Sequence, residues 1–257
     1  LIGVAACLAL VATGVLAGGC SAVPEADSLS LLPATTKFDP TRPLMIDVEN
    51  KSGSVNITVN PKLDRPYVTC RFLDVKTSTP LPDEAKVARK WIDARFVPRA
   101  DSTQLRVINT RGSAERGGVF IWISIEVPSC AGVRVRNSAG GVAMKDVSGP
   151  IDVSNGFGTG EGGPITLTTT RGITDSVSLS TIEGDVMVTM TGRSTGVLDL
   201  ASTNGPVEMR DRTGQVGNIV QTASTWTGVL NDGENPIKVR SGGGLVRVEV
   251  KPDTGRR

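Results

Sequence analysis

Eight carboxylates in the second half of the chain, Asp146, Asp152, Glu161, Asp175, Glu183, Asp185, Asp199 and Glu208, lie beside short glycine-headed phrases that recur there. They are the residues whose type and spacing could do chemistry. Asp152 stacked with Asp175, Glu183 or Asp185 on one face of repeated strands would supply an acid and a base for cleaving a glycosidic bond, or oxygen ligands for calcium. The chain has no histidine, which removes Ser-His-Asp and Cys-His catalysis, His-ligated zinc and imidazole bases. No lysine has a serine three positions before it, so a Ser-x-x-Lys pair is missing too. Any catalysis would fall to carboxylates, Lys or Arg. Outward positions on repeated strands are polar in any case, and solvated rims account for the same acids. The reading adopted is therefore non-catalytic, with no catalytic residues, no metal and no cofactor.

The run Gly158-Thr159-Gly160-Glu161-Gly162-Gly163 spells G-x-G-x-x-G, and Glu183 follows where a ribose-binding acid would stand. The dinucleotide fingerprint needs a helix whose amino terminus meets the pyrophosphate. Here Pro164 and a period-2 strand follow instead, so the run is expected to be a long corner.

The elements that would position these residues are strands. A glycine, a variable residue and an aliphatic-x-aliphatic pair recur as Gly140-Gly141-Val142-Ala143-Met144, Gly149-Pro150-Ile151-Asp152-Val153 and Gly163-Pro164-Ile165-Thr166-Leu167. The phrase returns at Gly184, Gly205 and Gly244, with an early copy at Gly53 and looser ones at Ser176 and Gly196. Short strands at this spacing suggest rungs stacked on rungs, because one rung cannot bury its apolar side alone. The expectation is an all-β, parallel β-helix-like solenoid over 131–250. Val142, Ile151, Ile165, Val177, Val186, Val197 and Val207 should point inward, with Met144, Val153, Leu167 and Val188. Ala143, Asp152, Thr166 and Met187 should point outward.

Upstream, residues 43–130 read as strands at Leu44–Val48, Gly53–Val59, Tyr67–Val75, Gln104–Asn109 and Val119–Val127. One short helix is predicted over 82–92, from Pro82 with Asp83 and Glu84 in its first turn and Ala85, Ala88, Trp91 and Ile92 on one face. Its basic residues Lys86, Arg89 and Lys90 read as a solvated face. Trp91, Trp122 and Trp226 read as core or cap residues rather than sugar platforms.

The chain opens on an apolar run that ends in Leu16-Ala17-Gly18-Gly19-Cys20, the pattern of a bacterial lipoprotein signal peptide. Residues 1–19 would be removed and Cys20 would carry lipid. The chain begins at Leu1 without Met or basic residues, so a few charged residues are expected to precede it. Ser21 after the cysteine suggests outer-membrane sorting if the host has two membranes. Residues 20–42 read as a membrane-proximal linker and 251–257 as a disordered tail. Outside the cytoplasmic membrane disulfides persist, and Cys70 and Cys130 are the candidate pair. The formal net charge of +2 argues against nucleic-acid binding, where a basic face is needed.

Ile121–Val127, Pro128, Gly140-Gly141-Val142 and Val147-Ser148-Gly149-Pro150-Ile151-Asp152-Val153 resemble the bacterial adhesin-like family with β-strand repeats known as DUF4097. The resemblance covers roughly residues 44–250. It implies an extended β-helix-like protein exposed at a cell envelope, with no catalytic residues. The function expected is a lipid-anchored envelope protein presenting a surface for adhesion or scaffolding. Its partners would be the membrane, through the lipid, and envelope polysaccharide or another surface protein. The competing reading is a β-helix enzyme acting on an acidic polysaccharide.

Overall fold

The computed structural model describes residues 29–33, 35–74, 90–110, 119–158 and 161–253. The lipoprotein junction at Cys20 lies outside them. Strands β1 (Leu29–Ser30), β2 (Leu44–Asn50), β3 (Ser54–Val59) and β4 (Tyr67–Asp74) are followed by β5 (Ile92–Pro98), β6 (Thr103–Asn109) and β7 (Val119–Val127). Then come β8 (Gly132–Asn137), β9 (Val142–Lys145), β10 (Ile151–Asn155), β11 (Ile165–Thr168), β12 (Val177–Thr181) and β13 (Val186–Thr191). The last six are β14 (Gly196–Ser202), β15 (Val207–Asp211), β16 (Val216–Gln221), β17 (Thr225–Leu230), β18 (Pro236–Ser241) and β19 (Val246–Lys251).

They form two mostly parallel sheets. Sheet A runs β1-β4-β7-β3-β9-β11-β13-β19-β15, and sheet B runs β16-β17-β14-β18-β12-β10-β8-β2-β6-β5. The chain alternates between them, so most consecutive strands form a layer with one strand in each sheet. The layers stack as β6/β7, β2/β3, β8/β9, β10/β11, β12/β13, β18/β19 and β14/β15. This order is not chain order. The last pair, β18/β19, is inserted between β12/β13 and β14/β15, and the first pair, β2/β3, lies inside β6/β7. The all-β class and the parallel pairing agree with the sequence. The coil-after-coil winding of a solenoid does not hold at either end.

Alternation in each strand builds the core. On sheet A, Ile123, Val55, Val142, Ile165, Val186, Val246 and Val207 follow one another in register across the stack, and all are buried. On sheet B, Leu105, Ile46, Val133, Ile151, Val177, Ile237 and Leu198 do the same. Val197 breaks the expectation, since it is 41% exposed. Leu198 and Leu200 hold the inward phase of β14, and a period of two sends Val197 to the other face.

A buried polar row closes the B-to-A corners. Asn109, Asn50, Asn137, Asn155, Thr181, Ser241 and Ser202 are stacked in register at the ends of the sheet B strands. Asn109 Nδ2 donates to Asn50 Oδ1 at 2.6 Å, Asn50 Nδ2 to Asn137 Oδ1 at 2.7 Å, and Asn137 Nδ2 to Asn155 Oδ1 at 3.0 Å. Beyond Asn155 the row turns to the corner glycines: Thr181 Oγ1 donates to the Gly163 carbonyl, Ser241 Oγ to Gly184 and Ser202 Oγ to Gly244. Those glycines are stacked so tightly that a Cβ on Gly184, at φ +103°, would lie 2.5 Å from the Gly163 carbonyl carbon. The G-x-G-x-x-G run ends in this same stack: Gly163 sits between Gly140 and Gly184. It is a long corner.

Three further expectations are corrected or bounded. The helix over 82–92 falls mostly on residues 75–89, outside the described residues. At its described end Lys90 and Trp91 form a turn and Ile92 opens β5, so the helix does not reach Ile92, whose side chain the antiparallel pairing with β6 buries. Part of the expected linker belongs to the fold, since β1 pairs with β4 and Leu32 is buried. No disulfide joins Cys70 to Cys130; both are buried thiols. Cys70 lies on β4 opposite Ile123, whereas Cys130 lies in the corner before β8, its carbonyl accepting from Ser148 Oγ. About three strand spacings, ~14 Å, separate those places, and a disulfide needs Cα atoms within about 7 Å.

Candidate functional site

The eight carboxylates do not converge. Asp152 faces outward from sheet B on β10, with Arg136 at 2.6 Å. Asp199 does so on β14, paired with Arg240. Glu208 faces outward from sheet A on β15, between Arg247 at 2.9 Å and Arg210 at 3.0 Å. The hydrogen bond from Arg247, with the charges of both arginines, holds its carboxyl below the usual range. Asp146 accepts from Thr170 in one corner, and Asp185 accepts from the Leu245 N–H in another. Asp175, Glu161 and Glu183 also occupy corners. Asp152 is thus on a different surface from Asp175, Glu183 and Asp185, and the acid–base stack considered from the sequence is not assembled. Among the described residues no group of three or more Asp, Glu or Cys is placed to hold a metal.

The outer faces of the two sheets differ sharply, because the residues between the inward aliphatics differ. Across sheet B one row reads Arg106, Asp47, Arg134, Asp152, Ser178, Lys238 and Asp199. The signs alternate, as cross-strand neighbours prefer, and ion pairs such as Arg106–Asp47 at 4.0 Å form along it. Exposed pairs of this kind stabilise little; their effect is to spend the charge internally.

Sheet A presents the opposite surface between β7 and β13. One row reads Ser124, Asn56, Ala143, Thr166 and Met187; the next reads Glu126, Thr58, Lys145, Thr168 and Thr189. Charge enters only at Glu126 and Lys145, and hydroxyls, an amide and small apolar groups supply the rest. Five strands at about 4.8 Å make this face roughly 19 Å long. Aromatics border it at one end. Trp122, on β7 opposite Arg71 and Ser54, is 44% exposed, and Tyr67 on β4 is 43% exposed. Trp226 is buried and Trp91 packs partly against the core, as expected. Trp122 is not a core residue: Ile121 and Ile123 take the inward phase of β7 and leave it outside.

A cavity of about 630 Å³ lies at the β1 end of the stack and is lined by Leu31, Leu32, Arg65, Tyr67 and Ile92 among others. Among the described residues its lining holds no carboxylate or thiol, and its opening adjoins the Tyr67 border of the neutral face.

No family model and no curated protein matches the chain. Among solved structures, a putative cell adhesion protein from Clostridium sporogenes is similar, with a TM-score of 0.53 and 10% identity over 82% of this chain and 93% of that one. At that identity the likeness is one of fold. A putative adhesin from Bacteroides fragilis, 13% identical over 88% of this chain and 98% of that one, has a TM-score of 0.34 and is too distant to carry an argument.

Proposed function

We propose that the chain is a non-catalytic adhesion protein of a bacterial cell envelope, of the DUF4097 type, held to the membrane by lipid on Cys20. Its binding surface is the neutral face of sheet A, and its ligand is an uncharged polysaccharide. The observation that carries this reading is the contrast between the faces: sheet B neutralises itself with paired charges, while sheet A offers an extended, nearly uncharged array ending at Trp122. Ser, Thr and Asn donate and accept hydrogen bonds as sugar hydroxyls do, and an indole ring provides an apolar platform with a polar edge. Repetition of the same groups strand after strand suits a polymer, whose units can bind along the row. The fold shared with a protein named for cell adhesion supports the class of function, and the scattered carboxylates leave the polysaccharide-cleaving alternative without an assembled site.

Binding of the full chain to an array of neutral and anionic cell-wall polysaccharides tests the reading. Trp122→Ala should weaken binding to a neutral polymer at least about tenfold, which corresponds to about 1.4 kcal/mol, while Arg134→Ala on sheet B should leave it unchanged. Unaltered binding by Trp122→Ala, or binding confined to anionic polymers and lost with salt, overturns it. A fatty-acid probe in cells should label the protein, and Cys20→Ala should abolish the label.

A further inference from the structure

We infer that the outer edge of β16 is a self-pairing interface, through which two copies of this chain join their B sheets antiparallel about a two-fold axis perpendicular to the sheet. The inference is independent of the polysaccharide reading.

The ends of the two sheets treat their unpaired edges differently. β1 is only two residues long. β5 carries Asp93, Arg95 and Pro98, and β15 carries Glu208, Arg210 and Asp211. Short length, charge, proline and β-bulges are the devices that keep an edge from pairing with another chain. β16, Val216–Gln221, has a bulge but neither charge nor proline, and the uncharged stretch around it runs from Thr213 to Asn231.

A second observation points to the same place. Val220 is 66% exposed and Ile219 56% exposed. The bulge between Gly217 and Val220 leaves Ile219 out beside Val220. Val220 is opposite Thr227 on β17; two residues along, Val229 is opposite Val197 on β14, which is 41% exposed. Large exposed apolar side chains side by side on an unpaired edge, as at Ile219 and Val220, mark an interaction surface.

Its occupant follows from charge. Against β5 or β15, this strand would oppose charged side chains or a proline that cannot donate to the ladder. Against β16 of a second copy, apolar meets apolar, no like charges face each other, and each strand satisfies the backbone groups of the other. The antiparallel sense follows from the two-fold axis. The pair is closed, because each copy spends the same edge, so no fibre grows from it. The axis also keeps both A sheets on one side of the dimer.

Sedimentation of the full chain in detergent, corrected for bound detergent, should give twice the protein mass of one chain. The double variant Ile219→Lys, Val220→Lys should halve it with unchanged thermal unfolding, since both side chains are exposed. Ile219→Cys in two differently tagged copies expressed together should yield, on oxidation, a cross-linked species carrying both tags. A wild-type monomer, a dimer that survives the double lysine variant, or a cross-link only to a different protein would overturn the inference.

Discussion

Asn137→Ala tests whether the polar row at the corners holds the layers together. Asn137 is fully buried. Its two Nδ2 hydrogens are shared among Asn155 Oδ1 at 3.0 Å, the Ala139 carbonyl at 3.0 Å and the Gly140 carbonyl at 3.2 Å, and its Oδ1 accepts from Asn50. In the variant Asn50 Nδ2 keeps the Gly53 carbonyl, and the Gly140 carbonyl keeps Asn155 Nδ2 at 2.8 Å. Asn155 Oδ1 loses the side-chain donor it had, whereas the Ala139 carbonyl keeps the Gly53 N–H at 3.1 Å. One deprived buried acceptor at about 1–3 kcal/mol, plus a small cavity, gives a loss of about 2–4 kcal/mol. In urea, with a slope of about 3 kcal/mol/M for a chain of this size, the midpoint should fall by about 0.7–1.3 M. Ser154→Ala, one residue before the row and facing outward, should move it little. A loss below about 1 kcal/mol for Asn137→Ala would mean that the row is filler and that the apolar columns alone set the stacking.

Gly184→Ala combines a positive φ with a Cβ driven into the Gly163 backbone, and should cost about 2–4 kcal/mol by urea unfolding. For Asp211, partial burial pushes the carboxyl up, but hydrogen bonds from Thr213 Oγ1, the Thr213 N–H and the Val216 N–H outweigh it and leave the pKa lowered. A lowered native value stabilises the fold above the unfolded pKa near 3.9, and this contribution is lost as pH falls through the native value. The drop in thermal midpoint between neutral pH and about pH 3 should therefore be smaller for Asp211→Asn than for the natural chain.

The inward columns were legible because each glycine-headed phrase carries its aliphatics two apart, and a strand leaves them no other face. Gly196-Val197-Leu198-Asp199-Leu200 misled because three aliphatics fit two phases, and only the pairing of Leu198 with Ile237 decides between them. At Trp122 two signals conflict: the general burial of tryptophan points inward, while its place between Ile121 and Ile123 puts it outside, and the parity prevails. The polar row had an unread signal. A Ser, Thr or Asn stands three residues before the glycine at Asn50/Gly53, Asn137/Gly140, Thr181/Gly184, Ser202/Gly205 and Ser241/Gly244, and the long corner hides the sixth instance at Asn155/Gly163. Layer order was not legible, since near-identical phrases do not say which copy lies beside which. The neutral face is a property of rows that cross strands, and no single stretch of chain displays it.

The insertion of β18/β19 between earlier layers has a consequence for synthesis. A strand-by-strand stack could settle in the order in which it leaves the ribosome, each new layer covering the last. Here β12/β13 must wait with their apolar flank uncovered while β14, β15 and the β16–β17 hairpin are made, because their neighbours in the stack are β18 and β19. The final strand thus completes an interior position. A chain cut short after Leu230 loses a middle layer and leaves two unmatched flanks, the kind of surface that chaperones and proteases recognise. The fold itself thereby checks that synthesis has reached β19.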